Sequence, residues 1–382
     1  MPQDKVIKSE IGRTSILEAV RMKLWAVSGG RCEICNRILY SDLHFGIDGN
    51  FGQLAHIHAV SAGGPRHKYG MTAEEKNDIS NLMLLCTDHH HLIDTNPKDY
   101  SDGSLLQLKK AHEDRIRSVT EIKNDQSCKI VTFFSDAGSG EVFSSDGILR
   151  TAVISAGLYA AQEPAIQLHQ GIPTYYKPSQ SEFNVKAAEL ETQFKIWFDA
   201  IIKKQDAVAL FAFAPQPLLF KLGTLLNDQY NVKVFQCHRE GHKWAWKVSD
   251  ETIDYQFTRP KGISGSTNVA LVMDLSATID DVRIVASIGD AKIYHITIPN
   301  PNMTFVKTEA IQNSFVPVFR QAMETIKGEN PSCNSIKVFM AMPQSLVVRA
   351  GMGYMPKVDL PLVLYEQANA EEGFFETLTI GG

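Results

Sequence analysis

Apolar positions recur along the chain with two different periods, and these periods predict two domains of different construction. From residue 13 to residue 27 the apolar side chains are spaced as on one face of a helix, which should end at Gly29-Gly30. A second helical pattern covers Ser104 to Ile122, and a polar stretch around residues 123–127 follows it. Short β-branched runs begin after that stretch. We therefore expect one domain over residues 1–125 and another over residues 126–382.

The second part of the chain alternates apolar strands with amphipathic helices. Strands are predicted at Lys129–Phe134, Leu149–Ser155, Ala207–Phe213, Val232–Cys237, Trp244–Val248, Val269–Leu275, Lys292–Ile298, Ile336–Met340 and Leu360–Leu364. Helices are predicted at Asn184–Lys203, Pro217–Asp228, Lys307–Ile326 and Ser345–Met352. Apolar strands interleaved with helices are typical of a parallel or mixed sheet with helices packed on its faces. The pattern therefore predicts a Rossmann-like α/β domain.

One short pattern occurs twice in this α/β region. Pro215-Gln216 and Pro343-Gln344 lie 128 residues apart, and each pair follows an apolar strand and precedes a helix. This repetition indicates two similar α/β halves. Proline is also common at helix starts because its missing N–H is not needed there, so a local cause alone could produce each copy.

Two similar halves would create a ligand pocket with approximate twofold symmetry. Ligands of α/β sheets collect outside the carboxyl ends of the strands, where helix N-termini offer amides to phosphate groups. A cyclic oligonucleotide, which has repeated phosphates and bases, suits this symmetry. Nine residues are candidates for binding it: Tyr175, Tyr176, Lys177, Gln216, His238, Arg239, Trp244, Trp246 and Gln344. Trp244 and Trp246 could instead form one face of a half-buried strand, and the tyrosines could be ordinary surface residues.

Composition narrows the class of protein. The chain has 382 residues, of which 44% are hydrophobic and 21% charged, as in a soluble globular protein of two or three domains. The sequence shows neither an apolar run of membrane-spanning length nor the apolar core of a secretory signal. We therefore expect a cytoplasmic protein with no membrane partner.

The net charge limits how the chain could bind a nucleic acid. It is −5 overall, and residues 1–125 contain 16 Lys and Arg against 17 Asp and Glu. Phosphate binding would need a locally basic surface or several subunits that pool their patches. The candidates for such a surface are Arg31, Arg37, Arg66, His67, Lys68, Lys109 and Lys110, although each of them could be an ordinary solvated charge.

Two pairs of metal-binding residues share one spacing in the N-terminal domain. Cys32 and Cys35 are separated by two residues, and so are Cys86 and His89. Four such ligands can hold a structural zinc ion tetrahedrally, and thiols stay reduced in the cytosol. We therefore expect zinc at these four residues, with His91 as an alternative to His89. Ordinary buried thiols are the other interpretation, but they leave the paired spacing unexplained.

A second, catalytic metal site is predicted next to the first. His90 and Asp94 are four residues apart, so on a helix that begins near His89 they lie on the same face. A nitrogen and a carboxylate oxygen so placed suit Mg²⁺ or another divalent ion with open positions for phosphate and water. His56 would be the general base that takes a proton from the attacking water. Asn81, which has no proton to exchange at neutral pH, would fix the loop or orient His56.

The ordered set of His56, Asn81 and His90, together with the zinc residues, resembles the HNH or ββα-metal endonucleases over residues 28–115. The resemblance implies that His56 is the base, Asn81 the middle residue and His90 the metal-binding residue on the helix. The reaction implied is hydrolysis of a phosphodiester in DNA.

One position departs from the pattern of the HNH endonucleases. Many of them carry Asp or His directly before the base as an additional metal ligand, and this chain has Ala55 there. Either fewer protein ligands hold the metal, or another residue such as Asp48 or His58 substitutes.

The whole chain resembles a more specific group. An HNH domain followed by tandem α/β halves, with the segment from His238 to Trp246, is similar to the HNH and SAVED effector nucleases of bacterial CBASS antiphage systems. The resemblance implies that a partner nucleotidyltransferase makes a cyclic di- or trinucleotide and that the SAVED domain binds it. It further implies a ligand-dependent homo-oligomer that degrades double-stranded DNA, so that the infected cell dies before phage mature.

Two other functions are compatible with the same motifs. A restriction-type HNH endonuclease would use its C-terminal domain to read DNA, and that domain should then carry a basic face. A zinc module without catalysis would explain Ala55. The joint presence of His56, Asn81 and His90 argues against it.

Overall fold

The computed structural model describes residues 16–42, 44–135, 145–161, 163–169, 179–203, 205–240, 243–260, 266–367 and 373–381. The chain divides into two compact units, Met1–Lys123 and Asn124–Gly382, each with its own hydrophobic core. Among the described residues, no helix combines the length and the apolar character that crossing a membrane requires.

The first unit contains a small ββα arrangement supported by further helices. Its strands are β1 (Ser41–Asp42), β2 (Ile47–Asp48), β3 (Gly52–His56) and β4 (Leu82–Cys86). Its helices are α1 (Glu18–Val27), α2 (Ala73–Lys76), α3 (Thr87–Thr95) and α4 (Asp102–Thr120). Strands β3 and β4 are antiparallel, with Gly52 opposite Cys86 and His56 opposite Leu82. Because β4 leads directly into α3, the motif carries residues of both predicted metal sites.

The core of the first unit lies around β4. All five residues of β4 are buried, and Leu24 of α1, Ile93 of α3 and Leu105 of α4 pack against them. The two helices predicted on either side of the motif are thereby confirmed. Helix α1 ends before Gly29 and Gly30, whose φ angles of 63° and 65° lie in the left-handed region that glycine tolerates best.

The second unit contains two sheets. The strands of the first sheet, in the spatial order β6-β5-β8-β9 with β7 also paired to β5, are β5 (Ser127–Phe134), β6 (Tyr159–Ala160), β7 (Ile166–His169), β8 (Ala207–Phe213) and β9 (Asn231–Phe235). The strands of the second sheet, in the order β10-β12-β11-β13-β14-β15, are β10 (Gln256–Thr258), β11 (Val269–Asp274), β12 (Lys292–Thr297), β13 (Ile336–Ala341), β14 (Leu362–Gln367) and β15 (Phe374–Ile380).

Six helices of the described chain connect these strands. They are α5 (Asp146–Ser155), α6 (Gln180–Gln193), α7 (Gln216–Leu226), α8 (Asp281–Ile288), α9 (Glu309–Glu329) and α10 (Gln344–Gly353), and a π-helix, Phe194–Asp199, continues α6. The path β5-α5-β6/β7-α6-β8-α7-β9 has the same connections and the same parallel strand order as the path β11-α8-β12-α9-β13-α10-β14. The repetition seen at Pro215 and Pro343 therefore extends over two Rossmann-like halves.

The strands alternate their side chains between two cores, as the period of a strand requires. In β8, Val208 and Leu210 belong to a central core with α6, α7, α9 and α10, whereas Ala209 and Phe211 belong to an outer core with α5. In β11, Leu271 points to the central core and Val272 to an outer core with α8. Both sheets thus contribute one face to a shared helical layer.

The two halves meet where α7 crosses α10. A Cβ atom at Gly223 would lie 2.3 Å from the carbonyl oxygen of Val348, and one at Gly351 would lie 2.2 Å from the carbonyl oxygen of Phe220. No real side chain tolerates such distances. The two helices therefore touch backbone to backbone, and glycine is required at the contact.

Two predicted strands in the second unit are wrong. Leu149–Ser155 is the greater part of helix α5, because Leu149, Ala152 and Val153 together form a buried helical face. Trp244–Val248 is irregular, with only a bridge between His238 and Lys243 beside it. The sequence-based predictions also omitted five elements that the structure contains: α8, β6, β7, β10 and β15.

Candidate functional site

Four residues of the first unit form a cluster of metal-binding atoms. One ligand atom from each of Cys32, Cys35, Cys86 and His89 lies within 4.8 Å of all the others. The Cys35 and Cys86 sulfurs are 4.0 Å apart, and His89 Nδ1 lies 3.1 Å from Cys86 Sγ and 3.9 Å from Cys32 Sγ. Ligands of a tetrahedral zinc ion are roughly 3.5–3.8 Å apart. The four side chains therefore fit a zinc ion, and His91, which is exposed, lies outside the cluster.

Local structure explains why these four residues converge. The Cys32–Cys35 turn follows the end of α1, is closed by Asn36 at a φ of 63°, and is joined to β4 by a bond from Glu33 N to Leu84 O. Cys86 is the residue just before α3, and His89 lies in the first turn of that helix. Burial raises the pKa of the Cys32 thiol to about 11, so a cation is needed to keep it as a thiolate.

Glu33, within the Cys32–Cys35 turn, and Lys109 of α4 are both buried. Burial raises the pKa of Glu33 to about 8, and the Lys109 ammonium 4.0 Å away opposes that rise. Lys109 is itself buried and also paired with Glu113. A lysine in this position cannot meet a DNA phosphate, so its inclusion among the candidate phosphate contacts was wrong.

His90 and Asp94 lie side by side on one face of α3, as their spacing predicts. His90 Nε2 is 3.6 Å from Asp94 Oδ2, and His90 Nδ1 is hydrogen-bonded to Gln53 Oε1 of β3. An imidazole nitrogen and a carboxylate oxygen at this separation can both reach one divalent ion, because ligands of such an ion at about 2.1 Å can lie up to about 4.2 Å apart. The pair therefore fits the predicted catalytic metal ion.

Arg66 connects helix α3, which carries His90 and Asp94, to the end of strand β3, which carries His56. Its side chain is only 6% exposed, and it donates to Asp94 Oδ1 at 3.3 Å, to Ile57 O at 2.9 Å and to Ile93 O at 2.6 Å. These bonds occupy the guanidinium within the protein. Arg66 is therefore not available as a phosphate contact, contrary to the sequence-based expectation.

His56 stands at the end of β3 and pairs with a residue that the sequence did not indicate. Its Nε2 lies 3.1 Å from Asn77 Oδ1. Since an amide oxygen can only accept, the bond assigns the proton to Nε2, so that Nδ1 carries the lone pair a general base needs. Asn77 follows the four-residue helix α2, and no motif in the sequence marks it.

Asn81 is buried, and its side chain holds the chain that follows His56. Its Oδ1 accepts from His58 N at 2.8 Å, while its Nδ2 donates to His58 O at 3.1 Å and to Lys76 O at 2.8 Å. Of the two roles expected for Asn81, these bonds favour fixing the loop.

Position 55 cannot contribute a ligand, because Ala55 is buried and has no donor atom on its side chain. Asp48 lies in the β1–β2 hairpin, and His58 Nδ1 pairs with the carbonyl oxygen of Arg66. The residue of β3 that contacts His90 is instead Gln53, which shares a face of the strand with Ala55.

Trp244 has a structural position in the second unit. Its indole is fully buried, with its ring 5.4 Å from that of Phe211 in an edge-to-face arrangement. It therefore presents no face on which a base could stack, and its assignment as a ligand-binding residue was wrong.

Polar atoms near the end of β9 are buried without a partner. His238 Nε2 and Trp246 Nε1 have no hydrogen bond among the described residues, and their rings are 6.2 Å apart. Burial, followed by the charge of Lys247, lowers the pKa of His238. Arg239 is exposed next to them. Tyr175, Tyr176 and Lys177 lie outside the described residues.

The two repeated glutamines tie the halves together. Gln344 Oε1 accepts from Ala214 N at 3.0 Å, and Gln216 Oε1 accepts from Met342 N at 3.3 Å. Gln236 Oε1 accepts from Ser345 N at 3.2 Å, and the Glu366 carboxylate accepts from Gln216 N. The amides of Gln216 at the start of α7 and of Ser345 in the first turn of α10 are therefore bonded within the protein and are not available to a phosphate group.

Two family models match the chain. The SAVED model, described as a SMODS-associated sensor domain fused to various effectors, matches residues 190–380, which is half of the chain. The model of an HNH endonuclease matches residues 32–96, the segment that contains the zinc cluster and the His56, Asn81 and His90 set. No match was found among curated proteins.

Solved structures with similarity to the chain are remote in sequence. The Acinetobacter baumannii Cap4 SAVED/CARF-domain containing receptor with the cyclic trinucleotide 2'3'3'-cAAA aligns with 11% identity and a TM-score of 0.42, over 77% of this chain and 60% of that one. The Moraxella osloensis Cap4 receptor aligns with 13% identity and a TM-score of 0.40, over 80% of this chain and 63% of that one. The chain thus spans about three fifths of the length of these structures.

Proposed function

The chain belongs to the SAVED family of sensor domains and carries an HNH endonuclease domain ahead of the sensor, and we propose that it is a DNA endonuclease switched on by a cyclic oligonucleotide. An HNH nuclease fused to a SAVED sensor is the organisation of CBASS effectors in antiviral defence. The observation that carries the proposal is this combination in one chain, with the base, the middle Asn and the His90–Asp94 pair all present on the ββα motif.

The proposed chemistry uses two sides of the ββα motif. His56, with its Nε2 proton on Asn77, takes a proton at Nδ1 from the water that attacks the phosphodiester. His90 and Asp94 would hold a divalent ion, which when bound supplies charge stabilisation for the phosphate and the leaving oxygen. Asn81 fixes the segment after His56 so that the imidazole keeps its position relative to α3.

The proposed ligand of the second unit is a cyclic di- or trinucleotide. Two halves of the same topology meet at α7 and α10, so the unit has the approximate twofold symmetry that such a ligand suits. His238, Arg239 and Trp246 remain candidate contacts, because His238 Nε2 and Trp246 Nε1 have no hydrogen-bond partner in the described part of the chain and the Arg239 guanidinium is exposed.

The proposed regulation follows from the damage that a continuously active nuclease would do to the DNA of its own cell. A ligand can shift an equilibrium only by binding one state better than the other. We propose that the cyclic nucleotide favours a homo-oligomer whose nuclease units cut double-stranded DNA, and that the infected cell dies before phage mature. The positive and negative charges of one nuclease unit nearly cancel. Several subunits together would present more basic groups to the DNA phosphates than one subunit does.

The test is plasmid cleavage by the purified full chain in Mg²⁺. We expect intact plasmid without nucleotide, and degradation with at least one member of a panel of cyclic di- and trinucleotides. Equal cutting with and without every nucleotide would instead support a restriction-type enzyme. Complete inactivity with every member of the panel and every divalent ion would contradict the nuclease proposal.

A further inference from the structure

The two proposed ligands of the catalytic ion are each held by a second residue. His90 is bonded through Nδ1 to Gln53 of β3, and Asp94 is bonded through Oδ1 to Arg66. Neither Gln53 nor Arg66 belongs to the HNH set of His56, Asn81 and His90. Both contacts use the other polar atom of each ligand: Nδ1 of His90 and Oδ1 of Asp94, whereas Nε2 and Oδ2 are the atoms that lie 3.6 Å apart.

The bond from His90 to Gln53 determines which nitrogen of the ring carries the lone pair. The carbonyl oxygen of Gln53 can only accept, so the proton must be on Nδ1. In that tautomer Nε2 carries a lone pair and lies 3.6 Å from Asp94 Oδ2, which also carries lone pairs. Two electron-pair donors that converge in this way repel one another unless a cation lies between them.

The bond from Asp94 to Arg66 fixes the other ligand in a complementary manner. One carboxylate oxygen is taken by the buried guanidinium, and the other is turned towards His90. Arg66 in turn donates to the carbonyl oxygens of Ile57 and Ile93. The guanidinium is therefore fixed, and it holds the Asp94 carboxylate in one orientation.

We propose that Gln53 is a positioning residue for the catalytic ion, acting by fixing the tautomer and the ring plane of His90 while Arg66 fixes Asp94. Residues behind a metal-ligating histidine have this effect in metal sites generally. In this chain the arrangement compensates for Ala55, which offers no ligand from the same face of β3. The inference rests on the proposed nuclease function.

The test compares Mn²⁺ affinity of the full chain, measured by titration with electron paramagnetic resonance of free Mn²⁺. Because an apolar side chain removes the acceptor, Gln53→Leu should weaken Mn²⁺ binding about 10- to 100-fold. Gln53→Glu retains an acceptor for Nδ1–H and should keep or improve the affinity. Gln107→Leu, at an exposed position of α4, is the matched control and should bind Mn²⁺ like the unaltered chain.

A second readout separates positioning from general damage to the fold. ¹⁵N spectra of the His90 ring should show Nδ1 protonated in the unaltered chain and a mixture of tautomers in Gln53→Leu, with an unchanged melting temperature because Gln53 is exposed. Wild-type Mn²⁺ affinity in Gln53→Leu would overturn the inference about Gln53.

The failure of the underlying proposal gives a different result. If His90→Ala bound Mn²⁺ as tightly as the unaltered chain, the ion would not be at His90 and the proposed catalytic site itself would be wrong. If His90→Ala lost the ion while Gln53→Leu kept it, only the positioning role would be contradicted.

Discussion

Asn81 holds the segment after His56 through three side-chain hydrogen bonds. Asn81→Ala would leave His58 N, His58 O and Lys76 O without their side-chain partner in a buried place. We expect a loss of roughly 2–3 kcal/mol in the free energy of unfolding of this unit and a fall in cleavage, because the segment after His56 is released. Chemical denaturation followed by plasmid cleavage checks both.

The control for Asn81 is an asparagine of the same unit whose hydrogen bonds are exposed to solvent. Asn96 donates at the exposed end of α3 to Leu92 O and Thr95 Oγ1. Asn96→Ala should change stability by no more than about 0.5 kcal/mol. Equal effects of the two substitutions would contradict the role assigned to Asn81.

Glu366 makes the second unit sensitive to pH. Burial raises its pKa to about 7, although the N–H groups of Gln367 and Gln216 oppose the rise. Between about pH 4.5 and pH 7 the unfolded chain has lost a proton that the folded chain retains, so the folded state loses stability as pH rises through that window and does not regain it above. The loss is on the order of 3 kcal/mol.

Glu366→Gln should remove this pH dependence, because an amide keeps an acceptor for Gln216 N but cannot ionise. Thermal unfolding should then show a variant that is more stable than the unaltered chain at pH 8 and equal to it near pH 4.5. Glu376→Gln, at an exposed position of β15, is the control and should behave alike at both values. A Glu366→Gln variant that melts below the unaltered chain at pH 8 would contradict this account.

At the residue scale, the spacing of residues along the sequence predicted the metal ligands, but it did not predict the residues that hold those ligands in place. His90 and Asp94 share a face because the helical period fixes that relation. Gln53 and Arg66 reach the same site from β3 and from the loop after it, and their approach depends on tertiary packing that no local period encodes. Trp244 was misassigned because an aromatic residue among polar neighbours resembles a stacking surface, whereas its ring fills a core.

At the element scale, the contact of α7 with α10 is the most sensitive to substitution. Gly223→Ala would place a Cβ atom 2.3 Å from Val348 O, where only backbone can give way. We expect the second unit to lose at least about 3 kcal/mol of stability or to fail to fold. Circular dichroism during urea unfolding is the measurement.

Two other helical glycines provide the matched control. A Cβ atom at Gly147 of α5 or at Gly328 of α9 meets nothing within 4 Å. Alanine at either position should be neutral or should stabilise its helix by about 0.5–1 kcal/mol, since alanine is the better helix former. If Gly223→Ala unfolded at the same urea concentration as Gly147→Ala, the close approach of α7 and α10 would be refuted.

Element prediction from the sequence succeeded where a strand or helix was long and regular. Strands β8 and β11 and helices α7 and α9 were predicted close to their observed bounds, because their apolar periods are sustained. Helix α5 was taken for a strand, since it contains the β-branched residues Thr151, Val153 and Ile154 close together. Helix α8 was missed because only Ile284 of its eight residues is buried.

At the scale of the whole molecule, the zinc cluster should control the folding of the nuclease unit only. We expect one zinc per chain by atomic emission, and we expect Cys35→Ser to lose it together with cooperative melting of the first unit. Cyclic-nucleotide binding by the second unit should persist, because that unit has its own core. Cys333→Ala, at a buried cysteine outside the cluster, should keep the zinc.

The opposite outcomes are informative in the same experiment. Full zinc content in Cys35→Ser would exclude Cys35 as a ligand. A chain that melts identically with and without a strong chelator would show that the ion is not structural.

The organisation of the whole chain followed from a few positions. Two Pro-Gln pairs 128 residues apart predicted a duplication, and the duplicated topology of the two sheets agrees with it. The way in which the halves interlock could not be predicted, because Gln216, Gln236, Gln344 and Glu366 bind backbone groups of the opposite half. Such bonds depend on the placement of one half against the other.

The central claim is that His56 acts as the base on a phosphodiester held beside the His90–Asp94 pair. Its most direct test is plasmid cleavage by His56→Ala in Mg²⁺ with an activating cyclic oligonucleotide, with zinc content and nucleotide binding measured on the same preparation. The account predicts that cleavage falls by about 10²- to 10⁴-fold while both other quantities stay at the level of the unaltered chain. Cleavage by His56→Ala at the unaltered rate would contradict it.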